Sequence, residues 1–320
     1  MDNNVRSERE LLSVVAYLYY YADMNQSDIA NRLFISRSTV SRLIKKAKTS
    51  GVVELKINEP WNRNFALEDS LKTVLDVSGA RVLITEKSMT EDEALLRLGE
   101  IVSFYINCNT VSDTILGVSW GNTFTHVVDS IAVGRKIPLT VVPIMGSLTW
   151  PNVNPESTEI SYQFSKVYGA KYIPLDAPLY AASPEAKAEL LEKSDVAAAI
   201  EACKNADMVL TSVASFDDIA AEGIIDAPTL ARLKELGCIG RVGGHMYNIS
   251  GVEIEGNYKE LHIGPSMKDL KKINAVLCVA GSEKKAEAVY GAVKAGIADI
   301  LFVTDRLAEA LLETAKQRRI

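Results

Sequence analysis

Apolar and polar positions in the first fifty residues follow the spacing of short, packed helices. Within residues 8–22, apolar side chains recur three or four positions apart, as on one face of a helix. Asn25 or Ser27 can cap a short second helix, and Ser36 can cap a third. Three short helices with a tight turn before the last one predict a helix-turn-helix over roughly residues 24–51.

From residue 60 onward, short apolar and β-branched runs alternate with amphipathic helical stretches. This alternation favours a mainly parallel sheet covered by helices on both faces. The sequence therefore predicts an α/β protein with a helix-turn-helix domain over 1–58, closed by a short wing strand at 52–57, and a larger α/β domain over 59–320. The predicted strands are 81–85, 114–119, 139–144, 170–175, 207–213, 275–281 and 299–304, and helix candidates between or after them are 92–106, 121–133, 184–204, 283–295 and 305–316.

The charge of the chain is divided unevenly between these two domains. The net charge of the whole sequence is −6, which alone argues against a nucleic-acid partner. Residues 1–57, however, carry nine Lys/Arg against six Asp/Glu, and residues 27–50 carry six against one. Residues 58–320 carry 26 against 35. A basic N-terminal domain on an acidic remainder is typical of a regulator that meets DNA through one end.

Other features of the composition narrow the class of protein. No apolar run reaches the roughly 20 residues that span a bilayer, and the polar N-terminus does not resemble a signal peptide. We therefore expect a cytoplasmic protein without a membrane partner. The four cysteines form no CxxC pair and the three histidines lack metal-binding spacing, so no metal site is expected. Neither a Walker A motif nor GxGxxG is present, so no nucleotide cofactor is expected.

The third predicted helix has an apolar face and a basic, hydroxyl-rich face. Short polar side chains and arginines near the start of a recognition helix can reach base edges, and later lysines can contact phosphates. The alternative is a three-helix scaffold whose charged face is merely solvated. It is less favoured because a basic face, a short second helix and a tight turn coincide. The candidate DNA-binding residues are Gln26, Ser36, Arg37, Ser38, Thr39, Ser41, Arg42, Lys45 and Lys46.

Four predicted strands run into segments rich in glycine and hydroxyl residues, at 117–123, 145–149, 212–215 and 280–288. In a parallel sheet such segments lie at the carboxyl edge, where ligands bind. Any one of them could have this composition for turn geometry alone. Four at one edge favour a small, phosphorylated ligand.

Two of these segments offer specific ligands for an anion. Backbone N–H groups at the start of the helix after residue 120, together with Ser119, Asn122 and Thr123, can hold a phosphate. In the last segment, Lys284 and Lys285 lie in the first turn of a predicted helix, where a cation is unfavourable unless it serves an anion. One of the two lysines is therefore a candidate phosphate ligand.

A fifth, glycine-rich segment at 240–251 has two interpretations. His245 and Asn248 could contact sugar hydroxyls or cover the pocket, or the segment could simply form a hairpin turn. No Ser, Cys or carboxylate stands at a telling spacing from His245, so it is not assigned as a general base.

Taken together, these motifs resemble the SorC family of bacterial transcriptional regulators. The resemblance is carried by 26–57 near the N-terminus and by GVSWGNT (117–123), AKYIPLDAPL (170–179), VAGSEKKAEA (279–288) and DILFVTD (299–305). It implies a winged helix-turn-helix joined to an effector-binding domain similar in fold to sugar-phosphate isomerases and deaminases. It also implies a cytoplasmic, usually tetrameric regulator of carbohydrate uptake or catabolism genes, with a phosphorylated sugar or sugar derivative as effector.

The resemblance also assigns site residues. Lys285 matches the lysine of the family's AGG-x-x-K-A-x-A motif and would neutralise the effector phosphate. The second glycine of that motif is Ser282 here, and Asn248 stands where the family's G-x-F-F-D motif has Asp. Because Asn can donate as well as accept, the effector can differ from the family's familiar ones. The candidate effector-binding residues are Ser119, Trp120, Gly121, Asn122, Thr123, Gly146, Ser147, Leu148, His245, Asn248, Gly281, Ser282 and Lys285.

Two functions are compatible with such a fold, a regulator and an enzyme acting on sugar phosphates, and the fold alone does not choose between them. The candidate loops offer no convincing pair of a carboxylate and a base, and an isomerase has no use for a basic helix-turn-helix. The sequence therefore favours a regulator without catalytic residues. Its paired DNA-binding domains would read a roughly palindromic operator, a double-stranded DNA site.

Overall fold

A computed structural model describes the chain in four stretches, residues 2–54, 60–131, 136–147 and 159–318. For residues 2–7 and Asn122 it describes the backbone alone. The chain forms two compact units, Met1–Pro60 and Trp61–Ile320, which we call the head and the body. The predicted boundary after residue 58 lies in 55–59, outside the described residues.

The head packs short helices around a small apolar core, in which Val15, Ile29 and Val40 are fully buried. As predicted, Ser36 caps the third helix, and its Oγ accepts a hydrogen bond from the Thr39 backbone N–H at 3.1 Å. Asn25, rather than Ser27, caps the second helix. The helices of the head are α1 (Asp2–Ala16), continued by a π-helical turn (Tyr17–Tyr21), α2 (Gln26–Leu33) and α3 (Arg37–Thr49).

The tight turn between α2 and α3 depends on Phe34, whose φ of 56° is left-handed. Its backbone N–H closes α2 on the carbonyls of Ala30 and Asn31. The first helix starts earlier than the predicted 8–22 and becomes a π turn in its last residues. Residues 52–54 of the predicted wing strand are not in a strand, and the rest of it lies outside the described residues.

The body contains two sheets. All seven strands predicted from the sequence occur in the larger one. The strands are β1 (Gly79–Leu83), β2 (Ile115–Val118), β3 (Thr140–Pro143), β4 (Lys171–Tyr172), β5 (Met208–Thr211), β6 (Ala214–Ser215), β7 (Cys238–Val242), β8 (His245–Asn248), β9 (Val276–Ala280) and β10 (Ile300–Thr304).

The larger sheet has the order β1-β10-β9-β5-β2-β3-β4. Each of its strand pairs is parallel, so all seven strands end at the same edge. Strands β9 and β10 are buried at every residue, as a sheet with both faces covered requires. After β4 the chain returns to the other side of β2 to form β5, and the sheet therefore has a topological switch point between β2 and β5.

Helices connect these strands and cover the sheet. The predicted helix 184–204 is two helices, because Lys193 has an extended backbone (ψ 126°). The predicted helix 283–295 begins as a 3₁₀ turn, Glu283–Lys285. The described helices of the body are α4 (Phe65–Leu75), α5 (Glu91–Asn109), α6 (Asn122–Asp129), α7 (Ile160–Tyr168), α8 (Pro184–Glu192), α9 (Ser194–Lys204), α10 (Phe216–Ala221), α11 (Ala227–Glu235), α12 (Asn257–Leu261), α13 (Met267–Leu270), α14 (Ala286–Lys294) and α15 (Asp305–Gln317).

The smaller sheet has the order β6-β7-β8 and is antiparallel. Its β7–β8 hairpin turns at Gly243 and Gly244, with φ values of 55° and 88° that glycine adopts without strain. The segment 240–251 is therefore a hairpin, one of its two predicted interpretations. Among the described helices of the chain, none has the length and apolar character to cross a membrane.

Candidate functional site

The candidate DNA-binding residues lie on α3 and at its N-cap, except Gln26, which begins α2. Most of them are exposed, and only Gln26 and Thr39 are half-buried. The hydroxyls of Ser36, Ser38 and Thr39 cluster at the start of the helix, with both Ser36 contacts at 2.8 Å. Arg42 reaches back to this cluster and donates to the Thr39 hydroxyl at 3.4 Å. The first turn of α3 therefore presents hydroxyls and a guanidinium together, groups that can hydrogen-bond to base edges and phosphates.

The two lysines predicted for DNA phosphates are in different surroundings. Lys46 forms an ion pair with Glu8 of α1, and both side chains are about half exposed (53% and 52%). Lys45 is exposed. The sequence pattern gave no signal for the contact between Lys46 and Glu8, because it depends on how α1 crosses α3.

The four predicted strand-end segments lie side by side in the body. They follow β9, β5, β2 and β3, which are consecutive neighbours in the sheet. The two central ones flank the switch point between β5 and β2, where open parallel sheets leave a crevice for ligands. Chain segments more than 160 residues apart, after β2 and β9, thus meet at one edge of the sheet.

A hydrogen bond joins the segments after β2 and β3. The Trp120 indole N–H donates to the Gly146 carbonyl at 2.9 Å, and Trp120 is only 7% exposed. Ser119 and Thr123 are also buried. Gly121 has φ 135°, and among the described residues no heavy atom would lie within 4 Å of a Cβ there. Asn122 is the first residue of that helix.

Gly146 lies in a tightly packed part of the body. A Cβ at this position would stand 2.2 Å from the Pro178 carbonyl oxygen, so only glycine fits. Its N–H donates to the Ile263 carbonyl at 3.1 Å, and the N–H of Ser147 donates to the Ala177 carbonyl at 2.9 Å. The predicted residue Leu148 lies outside the described residues.

The residues after β9 face two different sides. The Lys285 ammonium donates to the Val213 carbonyl, after β5, at 3.1 Å and lies 3.5 Å from the carboxylate of Asp218 in α10. Gly281 and Ser282 instead line a cavity of about 160 Å³ towards β10. The exposed Lys284 lines that cavity too, so the two lysines are directed to different places.

Asp218 was not among the residues predicted for the site. Burial opposes its ionisation, but the Lys285 ammonium and hydrogen bonds from Ser215 outweigh burial and hold the pKa of this carboxyl below its usual value. Lys285 therefore meets a charged carboxylate. No local motif joins the two residues, which lie in separate strand–helix connections.

His245 is buried (4% exposed) and engaged at both ring nitrogens. Its Nδ1 lies 2.6 Å from Glu253 and its Nε2 3.0 Å from the Pro265 carbonyl oxygen. Sequence spacing gave no signal for this carboxylate partner, because Glu253 reaches the ring only where the chain after β8 folds back.

Asn248 uses its side chain in its own turn. Its Oδ1 accepts from the backbone N–H groups of Ser250 and Val252, at 3.1 and 3.0 Å. None of its described side-chain hydrogen bonds is with the four strand-end segments. Within the described residues, no cluster of three or more His, Cys, Asp or Glu could hold a metal ion.

Two family models match this chain. The family described as "Putative sugar-binding domain" matches residues 59–313, and the MarR family matches residues 12–60. The first match spans nearly all of the body and the second most of the head.

Named relatives match over almost their full lengths. The deoxyribonucleoside regulator of Bacillus subtilis (strain 168) is 27% identical over 314 residues, which cover 96% of this chain and 98% of that protein. The transcriptional regulator LsrR of Enterobacter sp. (strain 638) is 26% identical over 97% of this chain and 94% of that protein.

The fold has the same architecture as a solved full-length regulator. The crystal structure of the sorbitol operon regulator SorC from Klebsiella pneumoniae matches with a TM-score of 0.69 at 23% identity, covering 96% of this chain and 99% of that one. Together with the family matches, this likeness shows that the expected helix-turn-helix and parallel α/β domain are present. The chain therefore belongs to the SorC-type family, whose members join a sugar-binding domain to a helix-turn-helix.

Proposed function

We propose that this protein is a cytoplasmic, DNA-binding regulator of carbohydrate uptake or catabolism genes, controlled by a phosphorylated sugar or sugar derivative. The observation that carries the proposal is the meeting of four glycine- and hydroxyl-rich segments at the switch point of the body's sheet, in a chain whose separate head exposes a basic helix. The named relatives are regulators, which favours this function over a sugar-phosphate isomerase.

The head supplies the output. Ser36, Ser38 and Arg42 would contact base edges from the first turns of α3, while Lys45 and Lys46 would contact phosphates. The remaining candidates, Gln26, Arg37, Thr39 and Ser41, would support these contacts. A homotetramer, or dimer of dimers, would place heads in pairs and would therefore require a palindromic operator.

The body supplies the input. The first turn of α6, after Ser119, offers a phosphate the backbone N–H groups and the dipole of a helix start. Lys285 adds a cation at the same edge of the sheet. Ser147 borders this edge and would contact the sugar, while Gly281 and Ser282 would take part through the adjoining cavity towards β10. His245 and Asn248, at the two ends of β8, would influence sugar binding through the β7–β8 hairpin.

A thermal-shift screen of the full chain tests the effector class. The panel pairs sugar phosphates with their unphosphorylated parents, and we expect a phosphorylated member to raise the melting temperature of the body by several degrees while its parent does not. The same compound should change binding to a duplex selected from a random-sequence pool. If only unphosphorylated sugars stabilise the body, the phosphate requirement is wrong. If no DNA sequence is selected, the regulator assignment is wrong.

A further inference from the structure

The Lys285 ammonium is held in place before any effector arrives. It donates to the Val213 carbonyl at 3.1 Å and lies 3.5 Å from the Asp218 carboxylate, and its side chain is only 17% exposed. Val213 follows β5, the strand next to β9 in the sheet, and Asp218 lies in α10, a few residues further along the chain after β6. The lysine is therefore fixed at the carboxyl edge of the sheet.

The Asp218 carboxylate is equally fixed. It is the third residue of α10, and its Oδ2 accepts from the Ser215 backbone N–H at 2.8 Å. In return the Ser215 hydroxyl accepts from the Asp218 N–H at 3.2 Å, which completes a capping box. A carboxylate fixed in this way cannot swing aside without losing the helix cap.

The net charge at this end of the site is therefore close to zero. A phosphate placed on Lys285 would stand a few ångströms from the Asp218 carboxylate, and like charges at that distance repel. Two neighbouring hydroxyls suit the pair better. One can donate to the carboxylate while the other accepts from the ammonium.

The first turn of α6 offers the phosphate a different place. It follows β2, which is two strands from β9 and thus about 10 Å away at the usual strand spacing. There the backbone turns at Gly121, where no described heavy atom would lie within 4 Å of a Cβ, and Trp120 fixes the turn through its hydrogen bond to the Gly146 carbonyl. This separation suits a sugar phosphate bound at both ends.

We propose that Asp218 is a specificity-determining residue of the effector site. Paired with Lys285, it makes the β5–β9 end a receptor for two neighbouring hydroxyls of the effector and leaves the phosphate to the first turn of α6. This inference rests on the proposed function, because it concerns the effector of that same site.

Inorganic phosphate tests the charge argument on the full chain, by calorimetric titration. Asp218→Asn keeps an oxygen that can accept from Ser215, so the cap and the melting temperature of the body should be retained. The variant should bind phosphate about tenfold more tightly than the natural chain, and adding Lys285→Ala should remove the gain. The exposed neighbour Asp217 provides the control, since Asp217→Asn changes the charge equally and should leave phosphate affinity within twofold.

Two results would overturn the inference. One is that Lys285→Ala alone abolishes phosphate binding by the natural chain, since the phosphate would then sit on the lysine. The other is that Asp218→Asn binds phosphate no better than Asp217→Asn.

A second titration uses the sugar phosphate that gives the largest thermal shift in the panel. Asp218→Asn should weaken its binding at least tenfold, while Asp217→Asn should not. A failure of the proposed function is distinguishable: no sugar phosphate would then bind the natural chain, yet the phosphate titrations would still decide whether Asp218 shields Lys285.

Discussion

The head and the body each hold a predicted anion-binding lysine against a carboxylate, in different surroundings. Lys46 and Glu8 in the head are both about half exposed, at 53% and 52%. Lys285 and Asp218 in the body are 17% and 44% exposed, and a helix cap fixes the carboxylate. An exposed pair is worth about 0–1 kcal/mol and is screened by salt, so DNA can displace Glu8 readily. The burial of Lys285 and the capping of Asp218 instead make this pair part of the site that a ligand meets.

A second ion pair of the body is buried more deeply. Arg241 and Glu222 form two hydrogen bonds, at 2.6 and 2.9 Å, with side-chain exposures of 7% and 26%. Glu222→Gln would leave the guanidinium buried without a counter-charge, which costs about 3–5 kcal/mol. Urea unfolding of the body should show this loss.

The matched control is Arg232 with Glu235, which are both about two-thirds exposed. Glu235→Gln should change the free energy of unfolding by less than about 0.5 kcal/mol. Equal losses of unfolding free energy in the two variants would mean that burial does not determine how much an ion pair stabilises this protein. The difference inferred between Lys46–Glu8 and Lys285–Asp218 would then be wrong.

The exposed surface of the head should act through individual contacts with DNA. Arg42→Ala removes the guanidinium beside the hydroxyl cluster of α3, and we expect the operator affinity to fall about 10- to 100-fold, or about 1–3 kcal/mol. Arg32→Ala on α2 removes the same charge from the head and should cost less than threefold. Fluorescence anisotropy with a selected duplex measures both. Equal losses would indicate that the head binds through net charge alone.

Much of the head could be predicted from sequence because its signals are local. Ser36 caps the helix that follows it, and the exposed positions of α3 follow from its period. In the body, all seven strands were predictable because buried parallel strands are short, continuous apolar runs. Their parallel pairing also brought the four strand-end segments together as expected.

The contacts within the body's site could not be predicted, because they join distant segments. Asp218 reaches Lys285 across two neighbouring strands, and Glu253 reaches His245 only after the hairpin has folded. Asn248 shows a further limit of motif reading. A motif suggests an effector contact for it, which stays a prediction, and the described hydrogen bonds of its side-chain oxygen are with its own turn. Motif position therefore identifies loops better than it identifies the partners of single side chains.

Acid should affect the body and not the head. His262 is buried, and its Nε2 has no hydrogen-bond partner among the described residues. Burial, and then the charges of His245 and Lys187, lower the pKa of His262 well below its ordinary value. The unfolded chain binds a proton at His262 near pH 6.5, whereas the folded chain does not. The contribution of His262 to the free energy of unfolding is therefore fully present above pH 6.5 and decreases below it, by about 1.4 kcal/mol per pH unit.

Urea unfolding of His262→Asn between pH 7 and 5.5 checks this expectation. In the variant, the free energy of unfolding of the body should depend on pH less steeply, by up to about 1.4 kcal/mol per pH unit, which is the contribution of one proton. The head contains no histidine, so its free energy of unfolding should not change over this pH range in either protein. An unchanged slope would mean that His262 is protonated in the folded body.

The smallest expected effect tests the exposed pair directly. Glu8→Gln frees Lys46 and removes a negative charge near the DNA, and we expect operator affinity to rise about two- to threefold at 50 mM salt and hardly at all at 300 mM, where screening is stronger. Asp23→Asn is the control, because it makes the same charge change in the head and Asn tolerates the φ of 50° there. A tenfold, salt-independent gain for Glu8→Gln alone would show that Glu8 holds Lys46 as firmly as Asp218 holds Lys285. Exposure would then not be what distinguishes the two pairs, and the head would select its ligand through a built-in carboxylate as the body does.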